Sequence, residues 1–449
     1  MKFRFALIAH MIVFCTMALC QQNQAPAAGP TGQAPQMGQQ NGRPGGREGG
    51  GSAIVQPDGM VTFSINAPNS TSVKLSASYP IIPGGLGPQA RGYGSLLMTK
   101  DDKGVWSITV GPLAPDIYSY NFNIDDLSME SRTLFIHGAG SANYEMSTVP
   151  HGTVSKVWFE SATYGDSRRM VVYTPPGYET STVRYPVLYL LHGGDADELT
   201  WSETARAPQI FDNLIAQGKM VPSIVVMPNG ANGPVGFSSK DVTLPNAQRR
   251  GPGLSGGGPG GPGTGGPGQA GAGKIGRVMF QTSLVQEIIP FIDKIYRTKT
   301  DRDDRAIAGQ SGGAGESIIV SMNNLDKFSW LGAFSPGWPD VPQDFWVNIP
   351  MPADVALRRS PEVGHTINPV RLEELVPTLG PNVNNRLNLF YFGVGDAEGL
   401  VETEQAIRKI FDEKGVKYLW VEKHDYAHDW DLWRINLQEF ASKMFKSAK

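Results

Sequence analysis

A serine set between glycines is the residue best suited to nucleophilic chemistry in this chain. Ser311 lies at the centre of Gly309-Gln-Ser-Gly-Gly313, a GxSxG pentapeptide. An apolar, strand-like run precedes it and a helix-like stretch follows. A serine presented from a sharp strand-to-helix turn needs neighbours with almost no side chain, which glycine supplies. The pattern predicts a nucleophile elbow with Ser311 at its tip.

A serine hydroxyl becomes a good nucleophile only when a base accepts its proton, so two more residue types are needed. Asp396 follows the strand-like run Leu387 to Phe392, and His428 follows a later apolar run. We predict that His428 is the general base and that Asp396 orients its imidazole. Glu398 is the alternative acid. The order Ser, Asp, His is that of α/β-hydrolases.

Position in the chain narrows the choice of base among seven histidines. Those in the leader, in the N-terminal region and at an earlier glycine turn are poorly placed: His10, His137, His151 and His192. His424 remains an alternative, and His365 is weaker. His428 is favoured because a helix-like segment follows it, with Trp430, Trp433 and Leu437 at helical spacing.

An oxyanion hole and a pocket are expected beside the serine. The run from Tyr185 ends in a glycine turn, where a second oxyanion amide is expected. The N–H groups of Gly194 and Gly312 are the predicted donors. Gln310, Trp201 and Trp430 are candidate pocket residues. Each feature alone has a purely structural explanation as a turn, cap, core or surface residue, but their joint order favours a catalytic site.

Longer motifs resemble carbohydrate esterase family 1, the feruloyl and acetylxylan esterases, which are also similar to enterochelin esterases. The resemblance rests on these segments: Tyr173 to Tyr178, Val187 to Asp195 with Glu198 and Trp201, Val225 to Gly230, Glu287 to Ile292, Arg305 to Gly313, Asn323 to Phe328, and His428 to Arg434. It implies triad positions for Ser311, Asp396 and His428. Gly312 replaces the family's usual methionine, and Tyr426-Ala427 replaces its Gly-Gly, which alters the pocket walls nearest the acyl group.

Two folded regions are predicted. Residues 149–449 alternate strand-like and helix-like segments, which predicts an α/β-hydrolase fold with a mostly parallel sheet flanked by helices. A Gly/Pro-rich insertion at 249–276 is expected to be a flexible loop, either a lid or a tolerated surface loop. Residues 52–148 predict a small all-β, immunoglobulin-like sandwich.

The sandwich also resembles family 48 carbohydrate-binding modules. The resemblance rests on Ala67-Pro-Asn69, Gly104-Val-Trp106 and the segment Gly111 to Tyr120. A glycan-binding role and a purely structural role both remain open, because no starch-type pair of aromatic and lysine can be matched to particular positions.

The first 51 residues predict export rather than folded structure. Residues 1–20 have the basic start and apolar centre of a signal peptide, and residues 21–51 are a Gln/Pro/Gly-rich tether expected to be disordered. Cleavage before Gln21 would remove both cysteines, whereas lipidation at Cys20 is the lesser alternative. A secreted protein is expected, in the periplasm or outside the cell.

Composition limits the partners. The chain has 39 Lys and Arg against 42 Asp and Glu, a net charge of −3, with 40% hydrophobic residues. We therefore expect no nucleic-acid partner and, after signal cleavage, no membrane partner. No HExxH, CxxC or phosphate-binding glycine motif occurs, so no metal or cofactor is implied. The resemblance implies a serine esterase that hydrolyses feruloyl-type esters on plant cell-wall polysaccharide. An acetylxylan esterase, an enterochelin-esterase-like hydrolase and a noncatalytic glycan-binding protein are the alternatives. Polysaccharide or a small ester is the expected substrate, and the oligomeric state is open.

Overall fold

The computed structural model describes residues 51–77, 94–194, 196–230, 278–338, 346–349, 364–398, 400–424 and 426–446. All of them belong to one compact unit, Glu48–Lys449. The predicted leader, nearly all of the predicted tether and the Gly/Pro-rich insertion at 249–276 lie outside the described residues.

The N-terminal region forms two antiparallel sheets. One has the strand order β1-β2-β6-β5, and the other has the order β4-β3-β7-β8 with β9 also paired to β7. The strands are β1 Ser52–Val55, β2 Val61–Asn66, β3 Val73–Ala77, β4 Gly94–Leu97, β5 Thr99–Lys100, β6 Val105–Val110, β7 Ile117–Ile124, β8 Leu127–Ser128 and β9 Arg132–Phe135.

Alternating side chains from the two sheets make the core of this sandwich. Along β2, Val61, Phe63 and Ile65 are buried, as their period of two predicts. The ring of Phe63 packs edge-on against that of Tyr120 from the other sheet, with centroids 4.7 Å apart. Trp106 is also part of this core, and its indole N–H donates to the Ala67 carbonyl at 3.0 Å. It therefore offers no exposed aromatic surface to a glycan.

The C-terminal region is built on an eight-stranded sheet with the order β10-β11-β13-β12-β14-β15-β18-β19, beside a two-stranded sheet of β16 and β17. Strands β10 and β11 are antiparallel to their neighbours, and the rest are parallel. The strands are β10 Thr153–Ser161, β11 Asp166–Thr174, β12 Val187–Leu191, β13 Ile224–Pro228, β14 Arg305–Gln310, β15 Trp330–Phe334, β16 Trp346–Ile349, β17 Gly364–Ile367, β18 Leu389–Gly395 and β19 Leu419–Lys423.

Helices cover both faces of the large sheet, which is why its central strands β12, β13, β14 and β15 are buried throughout. One face packs under α2, α3 and α5, and the other under α1 and α6. The helices are α1 Ala207–Ala216, α2 Ile289–Ile295, α3 Gly312–Asn323, α4 Pro369–Leu375, α5 Val401–Glu413 and α6 Trp430–Ala441. Shorter helical turns span Tyr178–Thr180, Thr200–Thr204, Leu284–Ile288, Arg302–Asp304 and Pro381–Asn385.

The two regions share buried surface beside α1 and α6. Ile117 of β7 and Tyr144, from the segment after β9, pack into the core of the large sheet. Arg434 of α6, only 1% exposed, donates to the Asp116 carboxylate at 3.2 Å. Arg206 donates to the Tyr144 carbonyl at 2.6 Å. The sandwich therefore packs against α6, the helix that follows His428.

No helix of the described ranges is both long enough and apolar enough to span a membrane.

Candidate active site

Ser311 lies between β14 and α3, where the chain turns sharply from strand to helix. Its backbone has φ 51° and ψ −123°, a conformation that is strained for any residue other than glycine. The turn is held by hydrogen bonds from the Ser311 N–H to the Phe334 carbonyl, 2.9 Å, and from the Gly337 N–H to the Ser311 carbonyl, 2.8 Å. This is the geometry predicted for a nucleophile elbow.

The glycines around Ser311 are required by close backbone contacts. A Cβ atom at Gly313 would lie 2.4 Å from the His192 carbonyl oxygen. One at Gly309 would lie 2.5 Å from the Gly313 carbonyl oxygen. The start of α3 therefore packs directly against the end of β12, and no side chain fits between them.

His428 lies within hydrogen-bonding distance of the serine and of a carboxylate. Its Nε2 is 2.9 Å from Ser311 Oγ, and its Nδ1 is 2.6 Å from Glu398 Oε2. A carboxylate at Nδ1 holds the proton there, which leaves the Nε2 lone pair free to accept the serine proton. Asp429 fixes the loop by capping α6, since its carboxylate accepts from the Trp430 N–H at 2.6 Å.

Glu398 is fully buried and held by several donors. Its second oxygen, Oε1, accepts from the Gly395 N–H and from Ser335 Oγ, both at 2.6 Å. Ser335 in turn accepts from the Trp433 indole N–H at 3.1 Å. With one oxygen fixed by these donors, the other oxygen of Glu398 is directed at His428.

A second buried carboxyl group, Glu404 on α5, lies near Glu398. Burial is the main cause that raises the pKa of Glu404 well above its ordinary value, and the nearby charge of Glu398 is the next.

The prediction that Asp396 contacts His428 is wrong. Asp396 instead pairs with Nδ1 of His424, whose side chain is 85% exposed. The reason is the turn after β18, in which the Gly395 N–H bonds to the Glu398 carboxylate and draws residue 398, not residue 396, inward. Asp396 therefore pairs with a solvent-exposed histidine, and Glu398, the alternative acid, takes the position expected of Asp396.

The predicted oxyanion amides belong to two turns that lie against each other. Register pairs Leu191 of β12 with Gly309 of β14, so the Gly193-Gly194 turn runs beside Ser311 and Gly312. His192, which is buried, accepts from the Gly230 N–H at 2.7 Å, and its other ring nitrogen lies 2.8 Å from the Gly193 carbonyl. Burial lowers the pKa of His192, so a neutral imidazole holds this turn.

The three pocket candidates differ in exposure. Trp201 is 1% exposed, and its indole N–H donates to the Leu191 carbonyl at 2.9 Å. Gln310 is 3% exposed and lies against Gly193. Both side chains are buried beside the end of β12 and the Gly193-Gly194 turn, so the expectation that they line a pocket is wrong. Trp430 is half-buried, with its ring edge-on to Trp201 at 5.3 Å, and its pocket role stays a prediction.

Ser335 is a part of the site that the sequence patterns do not indicate, and Trp433 contacts both Ser335 and His428. Ser335 follows β15 with φ 51°, and its N–H donates to the Gly393 carbonyl at 2.8 Å. The Trp433 ring packs edge-on against His428, with centroids 4.9 Å apart. The Ser-Pro-Gly turn at 335–337 was the available sequence signal, since it follows a strand next to the nucleophile strand. In the described ranges, no group of three or more His, Cys, Asp or Glu is arranged to hold a metal ion.

The mixed sheet, the elbow at the carboxyl end of β14 and the order of Ser311, Glu398 and His428 define a protein of the α/β-hydrolase type. Residues 161–257 and 266–370 match the family model described as "Putative esterase". The matched region contains the nucleophile elbow.

Two similar proteins carry esterase in their names. An endo-1,4-β-xylanase/feruloyl esterase of Xylanibacter ruminicola is 30% identical over 307 residues, covering 63% of this chain and 36% of the relative. An esterase of Mycobacterium tuberculosis is 29% identical over 200 residues, covering 42% of this chain and 35% of the relative. The chain thus spans only about a third of the length of these relatives. The chemistry that these similarities support is carboxylic ester hydrolysis.

A solved structure shares the fold. The enterobactin esterase of Shigella flexneri superposes with a TM-score of 0.54 at 14% identity, covering 88% of this chain and 96% of that chain. At that identity the likeness concerns architecture alone.

Proposed function

We propose that this protein is a secreted serine esterase that hydrolyses acyl esters of the feruloyl type on plant cell-wall polysaccharide. The observation that carries the proposal is the contact of His428 with Ser311 on one side and with buried Glu398 on the other. The name of the Xylanibacter relative, which joins a xylanase and a feruloyl esterase, supports the choice of substrate.

In the first half of the reaction, Ser311 Oγ attacks the ester carbonyl while His428 Nε2 takes the hydroxyl proton. The carbonyl oxygen gains the negative charge and is held by the N–H groups of Gly194 and Gly312. Glu398 stabilises the imidazolium through Nδ1 and keeps its own charge. When the tetrahedral intermediate collapses, the bond from the acyl carbon to the sugar oxygen breaks. His428 gives its proton to that oxygen, so the sugar leaves as an alcohol and the acyl group stays on Ser311.

In the second half, water replaces the sugar alcohol. His428 takes a proton from the water, whose oxygen attacks the acyl carbon, and the same two N–H groups hold the second oxyanion. Collapse returns the proton to Ser311 and releases the carboxylic acid. At the start of each half of the reaction the imidazole must be neutral, with no proton on Nε2. The hydrogen bond from Nδ1 to Glu398 favours this state because it keeps the proton on Nδ1.

The sandwich has a structural role in this proposal. Its tryptophan, Trp106, is buried, and Lys100 lies over the ring at 5.5 Å. Its contacts with α6 through Asp116 and Arg434 support the helix that follows His428. We therefore propose that the sandwich braces the catalytic histidine loop. The signal-peptide-like sequence pattern of residues 1–20 supports the proposed export.

The test compares ferulate release from methyl ferulate and from feruloylated arabinoxylan with acetate release from acetylated xylan, using the wild type and Ser311→Ala. We expect ferulate release by the wild type and none above background by Ser311→Ala, with an unchanged circular dichroism spectrum. Release of acetate alone would instead identify an acetylxylan esterase. If neither ferulate nor acetate is released, the proposal is disproved, and an enterochelin-type ester or noncatalytic glycan binding would have to be tested next.

A further inference from the structure

One tryptophan of the large sheet faces solvent instead of the core. Trp158 on β10 is 47% exposed. The strand alternates, so that Val154, Lys156 and Glu160 are exposed on the same side while Phe159 is buried on the other. A half-exposed indole on an edge strand costs solubility and offers a flat apolar surface, and such surfaces often mark binding sites.

The charged group beside this ring is held in place from inside the protein. Arg169 is paired directly opposite Trp158, and its guanidinium carbon lies 5.5 Å from the ring centroid. The Arg169 Nε donates to Glu198, which is fully buried and also accepts from the Asn229 side chain at 2.6 Å. The bond to Glu198 therefore holds the guanidinium over the ring, and its remaining N–H groups stay partly exposed.

The pair also lies at the active-site end of the sheet. The Asn229 N–H, just past the end of β13, donates to the Arg169 carbonyl at 3.2 Å. The strand pairing places the carboxyl ends of β13, β12 and β14 side by side. Trp158 and Ser311 therefore both lie at this carboxyl-terminal edge of the sheet. Four strand spacings separate β10 from β14 in the order β10-β11-β13-β12-β14. At about 4.8 Å each, the separation is roughly 19 Å.

The Trp158 ring lies on the face of the large sheet that is covered by α1 and by α6, the helix that follows His428. Residues two apart on β11 share a face, so Arg169 faces the same way as Val171 and Tyr173, which pack under α1 and α6. Trp158, directly opposite Arg169, faces that side too. Lys156 and Glu203, whose charged atoms are 3.8 Å apart and largely exposed, form a polar border nearby.

From these observations we infer that Trp158 and Arg169 form an accessory subsite for the neutral polysaccharide chain whose ester group is bound at Ser311, an inference that rests on the proposed function. A flat indole stacks on the apolar face of a sugar ring, and the guanidinium and the border residues bond to its hydroxyls. The separation of roughly 19 Å suits a ligand several sugar units long, because a methyl ester cannot reach from Ser311 to Trp158.

The test compares the effect of one substitution on hydrolysis of a polymeric substrate and of a small substrate. Trp158→Ala should lower kcat/KM on feruloylated arabinoxylan by about tenfold, mainly through KM, which corresponds to about 1.4 kcal/mol of binding. Hydrolysis of methyl ferulate should be unchanged. Leu127→Ala, which alters an apolar side chain 69% exposed on the sandwich, is the matched control and should change neither rate. Equal losses on both substrates, or no loss on either, would overturn the inference.

A binding measurement keeps this inference separate from the proposed function. In the Ser311→Ala background, arabinoxylan affinity is measured with and without Trp158→Ala. If the wild type hydrolyses no ester but Trp158→Ala still weakens polysaccharide binding about tenfold, the proposed function fails and the subsite stands. If hydrolysis is found and neither binding nor polymer kinetics depend on Trp158, the subsite fails alone.

Discussion

The Glu398 carboxylate lies 2.6 Å from Nδ1 of His428 and is completely removed from solvent. Its other oxygen accepts two hydrogen bonds, so the carboxylate cannot rotate away without breaking them. A buried, fixed carboxylate interacts more strongly with an imidazolium than an exposed one, because water screens it less. This contact decides which acid serves the proposed mechanism.

Replacing Glu398 by Gln should lower kcat by roughly 10²- to 10⁴-fold, because the amide can present the wrong partner to Nδ1 and cannot stabilise the imidazolium. Asp396→Asn should stay within about threefold of wild type, since Asp396 pairs with His424, whose side chain is 85% exposed, and not with His428. Steady-state kinetics on methyl ferulate measure both. A severe loss in Asp396→Asn with an active Glu398→Gln would contradict the assignment.

Gly313→Ala should destabilise the fold by more than about 3 kcal/mol or prevent folding, because the new Cβ would lie 2.4 Å from a backbone carbonyl. Gly194→Ala is the control: nothing lies within 4 Å of its Cβ position, so the change should stay within about 1 kcal/mol. Urea unfolding followed by tryptophan fluorescence compares the two. Equal stabilities would show that the turn has room for a side chain.

Glu404→Gln should gain stability relative to wild type as pH rises from about 5 to 8. Burial and the neighbouring Glu398 charge raise the pKa of Glu404, so the folded state holds this proton while the unfolded chain releases it at a lower pH. The wild type therefore loses stability with rising pH through this group, and a neutral glutamine does not. Urea midpoints at pH 5, 6.5 and 8 measure the difference.

Glu413→Gln, at an exposed position of the same helix, is the control and should show no such trend. A stability difference between Glu404→Gln and wild type that is constant across this pH range, or that shrinks as pH rises, would contradict the expected titration.

Arg434→Met should cost about 3 to 5 kcal/mol, because it leaves the Asp116 carboxylate partly buried without its cation. Burial already raises the pKa of Asp116, which shows the cost of charge at that place. A double-mutant cycle with Asp116→Asn should give a coupling energy above the 1 kcal/mol that bounds exposed pairs. A coupling near zero would mean that the sandwich does not brace α6 through this pair.

Local sequence patterns predicted much of the architecture. The period of two along β2 and β7, the continuous apolar runs of β12 and β14, and the GxSxG turn each depend on neighbours close in the chain. Such patterns reflect sterics and burial that a short segment determines by itself. The choice between His424 and His428 could also be argued locally, because the helix after residue 428 gives that histidine a rigid base.

The sequence by itself therefore determined most strands, the sharp turn at Ser311 and the prediction that Ser311 pairs with His428, whose Nε2 lies 2.9 Å from Ser311 Oγ. Only the tertiary structure decided between Asp396 and Glu398, two residues apart in one loop. That choice depends on the bend after β18 and on donors from Ser335 and Gly395, which long-range packing brings together. The burial of Trp201 and Gln310 and the exposure of Trp158 are likewise products of packing, because a residue's type does not state which neighbours will cover it.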